Sequence, residues 1–360
     1  MYISQRTVPM NLRPLLILLF CLPWIACSDA VPEEHVEPTV TTFEAQPATA
    51  LIANTYRAVA YSGFRTGQHP DRGEGAKNPS REEVLEDLQI LLQNDAFTLI
   101  RLYDTKENSR MVLEVIEEND LPIRVMLGAW LSAEVSNHEG CAWCDEPTPE
   151  EELAANRVAN AENVQEAIQL AQAYPEIIVA VNIGNEALAE WNDHLVPIET
   201  MVGYLREANE AIEQLVTTAE NYEFWIKHAD ALADVVDVAG VHTYPIWENK
   251  PIEEGLSYTI ENMMEVQQAL PNVPLAILEA GWATTATEFP DQANEANQIR
   301  YFDELMGWSR DMNVTTFWFE AFDEDWKGNP DNPLGAEKHW GLYFVDRQPK
   351  AVIAESAELN

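Results

Sequence analysis

The sequence predicts a single (β/α)8 barrel, and three observations carry that prediction. Short apolar runs alternate with helix-like stretches along the chain, the pattern of a parallel sheet with crossover helices. Two of the runs, Val181-Asn182-Ile183-Gly184-Asn185-Glu186 and Ile277-Leu278-Glu279-Ala280-Gly281-Trp282, end in a glutamate, and the C-terminal strand ends are where such a barrel carries its chemistry. Length agrees as well, since 360 residues can hold one barrel of roughly 250 residues with insertions.

In chain order, strands are expected over residues 58–64, 98–103, 123–129, 177–183, 215–219, 236–241, 275–278 and 315–319. Helices are expected over 80–94, 149–174 and 199–213 among others. The first opens on Ser80 with Glu83 three residues later, a capping box ahead of the apolar Val84, Leu85, Leu88 and Leu91. Neither an internal repeat nor a second domain is visible.

Ahead of the barrel, residues 1–27 read as a signal peptide. Arg6 and Arg13 precede an apolar stretch too short to span a bilayer comfortably, which ends in Ile25-Ala26-Cys27. That ending resembles a bacterial lipoprotein signal, with Cys27 as the lipidated residue. The expectation is an exported protein: an outer-membrane lipoprotein, or a periplasmic or extracellular one. Residues 28–55, acidic and without apolar period, read as a flexible tether, which leaves 56–360 for the barrel. In an exported chain the close pair Cys141 and Cys144 is expected to form a local disulfide.

With 21 basic against 61 acidic residues, the net charge is −40. Such a surface repels nucleic acid, anionic membranes and charged polysaccharides, while a neutral glycan is indifferent to it. Solubility in salty surroundings explains the same excess, and the two readings stand side by side.

The residues just beyond each strand are more informative than the strands themselves. Tyr61 lies at the end of the first, Arg101 and Tyr103 close the second, Trp130 comes after the third, and Asn185 with Glu186 after the fourth. Glu220 succeeds the fifth, His242, Tyr244 and Trp247 the sixth, Glu279 and Trp282 the seventh, and Trp326 comes after the eighth. Aromatic faces stack on pyranose rings while carboxylates and amides bind hydroxyls, so the set suits a sugar-binding cleft. Two carboxylates facing one glycosidic bond are what glycoside hydrolysis needs. The remaining histidines show no metal-ligand spacing, and neither a phosphate-cradling glycine loop nor a Gly-x-Ser-x-Gly elbow is present. Neither a cofactor nor a metal is expected, and the protein is expected to be a monomer.

Several segments together carry a family resemblance: Arg101-Leu102-Tyr103-Asp104, Gly184-Asn185-Glu186, Val216-Thr217-Thr218-Ala219, His242-Thr243-Tyr244-Pro245, Glu279-Ala280-Gly281-Trp282 and Phe322-Asp323-Glu324-Asp325-Trp326-Lys327, with Glu337-Lys338-His339-Trp340 after them. In order and spacing the chain resembles glycoside hydrolase family 17, the β-1,3-glucanases of the clan A barrels. Tyr61-Ser62-Gly63-Phe64-Arg65 is similar to the bacterial branch. Ala280 and Ala283 stand where plant members carry threonine and proline, which bears on substrate fit rather than on the carboxylates. The resemblance makes Glu186 the general acid/base and Glu279 the nucleophile of a retaining mechanism on laminarin-like β-1,3-glucan. It further implies that Asn185 meets a sugar hydroxyl, that Tyr244 orients Glu279, and that Lys327 and Glu337 form an ion pair beside the acid/base. Two alternatives remain open on the sequence: β-1,3-glucanosyl transfer through the same glycosyl-enzyme, and a non-catalytic glycan-binding surface lipoprotein.

Overall fold

Eight parallel strands close on themselves in sequence order, β1 pairing with both β2 and β8. They are β1 (Arg57–Ala60), β2 (Leu99–Arg101), β3 (Arg124–Ala129), β4 (Ile178–Asn185), β5 (Leu215–Asn221), β6 (Ala239–His242), β7 (Leu275–Ala280) and β8 (Thr316–Trp318). The computed structural model describes residues 42–359 apart from 72, 94 and 95. Among the described residues the α-helices are α1 (Arg81–Leu91), α2 (Glu107–Glu118), α3 (Glu150–Ala173), α4 (Ile198–Ala211), α5 (Tyr222–Lys227), α6 (Ala229–Leu232), α7 (Ile252–Ala269), α8 (Glu295–Met312) and α9 (Ala351–Glu355). The expected signal peptide and Cys27 lie outside the described residues.

The expected barrel is the observed one. Its α1 begins with the capping box read from the sequence: the Ser80 side chain accepts from the Glu83 amide, and Glu83 accepts from the Ser80 amide. Alternate strand residues face opposite sides of the sheet and both sides are buried, so the apolar residues fall into two sets. A large set fills the space between strands and helices, and a smaller one, including Ala58, Leu99, Met126, Ala180, Ala276, Leu278 and Phe317, packs separately. Strand-derived layers of this kind make a barrel interior a packed core rather than a pore.

One boundary differs from expectation. Residues 42–55, expected to be the end of a tether, belong to the barrel. Ile52 is buried with the smaller core set, and its amide donates to Thr315 Oγ1 at 2.9 Å. Gln46 accepts from the Leu275 amide at 2.7 Å and donates to the Leu275 carbonyl at 2.9 Å, while Phe43 packs on Trp308. The N-terminal ends of the strands leave apolar side chains and unpaired backbone groups that need covering, and this segment covers them.

Register shifts occur where the strands approach the C-terminal face: between β4 and β5 at Asn182/Asn185, between β6 and β7 at Val241/His242, and between β7 and β8 at Ile277/Ala280. Such irregularities re-aim side chains, and these three flank Glu186 and Glu279.

Candidate active site

Glu186 succeeds β4 with φ 51°, in the left-handed region that non-glycine residues rarely occupy. The conformation is held from both sides: the Glu186 amide donates to the Ala219 carbonyl at 2.7 Å, and Asn192 Nδ2 donates to the Glu186 carbonyl at 3.1 Å. Its carboxylate is 22% exposed, against 8% for that of Glu279. His242 stands between them, its Nδ1 lying 3.0 Å from Glu186 Oε1 and 3.5 Å from Glu279 Oε2. The other ring nitrogen, Nε2, faces Arg101 Nη1 at 3.5 Å. Arginine has only donors to offer, so this contact assigns the proton to Nδ1.

Glu279, one residue from the end of β7, is surrounded by donors. Arg101 Nη1 reaches Oε1 at 2.7 Å, the Tyr103 hydroxyl donates to Oε1 at 2.9 Å, and the Tyr244 hydroxyl donates to Oε2 at 2.7 Å. Burial works against its charge, yet His242, Arg101 and the two phenols together hold its pKa below the ordinary carboxylate value. Burial and the neighbouring Glu279 charge push both phenols up, so they stay protonated as donors. Arg101 also joins the two halves of the site, since its Nη2 donates to Asn185 Oδ1 at 2.6 Å.

Around this centre, Trp130 packs against the His194 ring at 4.8 Å between centroids, and His194 Nε2 contacts the Asn185 carbonyl at 2.8 Å. Trp247, 37% exposed, leans on Phe289 and on the buried Trp340, which also supports Tyr244. Trp326 is half-buried against Phe64, and its indole donates to Glu324 Oε1 at 2.9 Å. Lys327 forms ion pairs with Glu320 and Glu324 rather than with Glu337. The expected Lys327–Glu337 pair is therefore corrected: two carboxylates supplied near the end of β8 meet the ammonium first. Burial raises the Glu337 pKa, opposed by Lys327 and reinforced by Glu279 and Glu186, so it lies in the same electrostatic field.

Three expected cleft residues lie elsewhere. Because β1 stops at Ala60, Tyr61 turns to the helical layer and donates to Asp87 Oδ2 of α1 at 3.3 Å, almost completely buried. Glu220 is inside β5 rather than beyond it. Its Oε1 accepts from the Leu188 amide at 3.1 Å, and burial, with the Glu186 charge adding, pushes its pKa well up. Trp282 is wholly buried against Tyr301 of α8, its indole donating to the Gln292 carbonyl at 3.0 Å. It is core, not a sugar platform.

His194 and Asn192 were not among the residues expected here. The cluster Trp191-Asn192-Asp193-His194, polar, aromatic and without period shortly after Glu186, is the signal that marked its loop. Cys141 and Cys144 form a disulfide in the loop between β3 and α3. Among the described residues no three His, Cys, Asp or Glu side chains converge as a cation would require.

Comparison with known proteins adds family to geometry. The family model described as "BtgE/BtgC glycoside hydrolase domain" matches residues 58–341. A glucan 1,3-beta-glucosidase of Arthroderma benhamiae is 27% identical over 197 residues, covering 49% of this chain and 61% of that protein. A probable glucan endo-1,3-beta-glucosidase of Aspergillus clavatus is 24% identical over 300 residues, covering 76% of this chain and 39% of that protein. The chain thus spans less than two thirds of these relatives. Among solved structures, an endo-laminarinase from Formosa superposes with a TM-score of 0.67 at 23% identity, over 85% of this chain and 87% of that one. A glycoside hydrolase family 17 β-1,3-glucanosyltransferase from Rhizomucor miehei gives 0.64 at 18% identity, over 87% and 100%. At these identities the superpositions establish the barrel fold.

Proposed function

The chain belongs to the BtgE/BtgC glycoside hydrolase domain family, and from that premise we propose that it hydrolyses β-1,3-glucan with retention of configuration. The observation that carries the reading is the position of His242 Nδ1, 3.0 Å from one carboxylate and 3.5 Å from the other. A ring nitrogen shared in this way keeps the facing oxygens of the two carboxylates within about 6.5 Å, the lower edge of the ~6.5–9.5 Å that inverting enzymes keep open for water, and is compatible with the ~5–5.5 Å of retaining ones.

Glu279, held charged by His242, Arg101, Tyr244 and Tyr103, attacks the anomeric carbon and forms the glycosyl-enzyme. Glu186, the more exposed carboxyl, delivers its proton to the departing oxygen. In the second step Glu186 takes a proton from water, the resulting hydroxide attacks the same carbon, and Glu279 leaves as carboxylate. The curated relatives named for β-1,3-glucan support the substrate.

On the same reading the domain works outside the cytoplasm, anchored through Cys27 or free after export. The Cys141–Cys144 disulfide supports this, since such bonds persist in oxidising compartments.

Linear β-1,3-gluco-oligosaccharides incubated with the protein, with products separated by size, test the proposal. Shorter products alone are expected. Products longer than the starting chain would reassign the enzyme to transfer, and unchanged substrate would overturn catalysis in favour of glycan binding.

A further inference from the structure

We propose that Trp143, on the disulfide-closed turn between β3 and α3, is an outer sugar platform that binds β-1,3-glucan beyond the residues held at the two glutamates. The inference rests on the glucan-hydrolase reading and extends it to a subsite remote from the scissile bond.

Trp143 is 59% exposed, more than any other tryptophan among the described residues. An indole left in water at that level has either no role or a partner still to come. Its surroundings are built rather than loose. The turn that carries it is closed by Cys141–Cys144, and Cys141 itself is buried. Upstream, Asn137 Nδ2 donates to the carbonyls of Glu190 at 2.7 Å and Asn192 at 2.8 Å, which docks this loop on the one beyond Glu186. Gly140 makes the docking possible: a Cβ there would lie 2.3 Å from the Glu190 carbonyl oxygen.

The indole is also tied to the catalytic centre by an unbroken chain of contacts. Trp143 Nε1 donates to Asp193 Oδ2 at 3.3 Å, and Asp193 Oδ1 meets His194 Nδ1 at 2.7 Å. His194 Nε2 contacts the Asn185 carbonyl at 2.8 Å, next to Glu186, while the imidazole packs against Trp130. The polar edge of Trp143 is therefore fixed by the same acid that orients the histidine beside the acid/base, and its apolar faces remain available. A fixed indole face with a carboxylate at its edge is the arrangement that stacks on a pyranose ring and accepts from its hydroxyls. A neutral hexose ring suits the site, because the neighbouring Asp145, Glu146 and Asp193 would repel an acidic one.

The test compares kcat/KM of the full protein on a β-1,3-linked trisaccharide and hexasaccharide for wild type, Trp143→Ala and Trp143→Phe. For Trp143→Ala the hexasaccharide value should fall about fivefold or more relative to wild type, with the trisaccharide value within about twofold. Trp143→Phe, which retains an aromatic face, should recover most of the loss. Equal losses on both substrates would reduce Trp143 to a structural role, and an unchanged ratio, or a Phe variant as poor as Ala, would likewise overturn the platform. Those outcomes leave wild-type hydrolysis intact, whereas a wild type inactive on both chains would overturn the hydrolase reading and this inference with it.

Discussion

Arg101 and Glu279 form an ion pair at 2.7 Å in which the guanidinium is 0% and the carboxylate 8% exposed. A cation so deeply placed would be costly alone, and the buried carboxylate draws part of the support for its charge from it, alongside His242 and two phenols. Arg101 thus helps hold Glu279 in the ionised state that the proposed reaction uses. The second arm of Arg101, on Asn185, extends that control to the strand end bearing Glu186.

Arg101→Lys keeps the charge but loses the planar fork that reaches Glu279 and Asn185 together. We expect kcat/KM to fall about 10- to 100-fold, in line with ~1.5–3 kcal/mol for a hydrogen bond to a charged group. Arg101→Met should in addition lower stability by about 3–5 kcal/mol, because Glu279 is left buried without its cation. Steady-state kinetics and denaturant unfolding check the pair, and a Lys variant with wild-type kinetics would remove Arg101 from the machinery.

The two glutamates should separate on an aryl glycoside whose leaving group needs no proton. Glu186→Ala should still form the glycosyl-enzyme, and azide should intercept it to give a glycosyl azide of retained configuration. In Glu279→Ala any product rescued by azide should be inverted, since azide then occupies the nucleophile's place. Product stereochemistry by NMR decides, and retained azide from the Glu279 variant would reverse the assignment.

Two buried carboxyls should leave opposite marks on stability against pH. Glu279, with its pKa depressed in the fold, contributes stability above the ordinary carboxylate value that is lost as pH falls through the depressed one. Glu220 has a raised pKa in the fold, so its contribution is complete below the ordinary value and is lost as pH rises from there. Glu220→Gln should therefore match wild type in acid and gain on it toward neutrality. Thermal melts across that range provide the readout, and a gap that narrows toward neutral pH would contradict a protonated Glu220.

Trp282 and Trp247 should part company. Trp282→Ala removes a wholly buried side chain and should cost about 3–5 kcal/mol of stability. Trp247→Ala, at a half-open position packed on Trp340, should leave the melting temperature nearly unchanged and weaken oligosaccharide binding to a Glu279→Gln background by about 0.5–1.5 kcal/mol. Calorimetric titration distinguishes them, and undiminished affinity in the Trp247 variant would take it out of the cleft.

Why Glu186 and Glu279 were legible is physical: each closes an apolar run at a strand end, and a charge there has few structural reasons to exist. Tyr61, Glu220 and Trp282 come after similar runs and were misplaced, because a run does not reveal where its strand stops. One or two residues decide whether a side chain faces the mouth, the helices or the interior, as β1 ending at Ala60 does for Tyr61. Lys327 meets the nearby Glu320 and Glu324 of its own loop before the more distant Glu337. Gln46 and Ile52 carried no periodic signal at all, since a covering segment is shaped by what it covers.

That covering segment has a practical consequence for handling this protein. The family match begins at residue 58, and a cloner guided by it would start the gene at the first strand. Such a fragment would lack Gln46, which hydrogen-bonds both backbone groups of Leu275, and Ile52, which is 1% exposed. It would leave a wet hole beneath β7 and β8 and an unpaired strand start that invites self-association. The portable unit is longer than the recognisable one, and its 5′ boundary belongs upstream of Phe43.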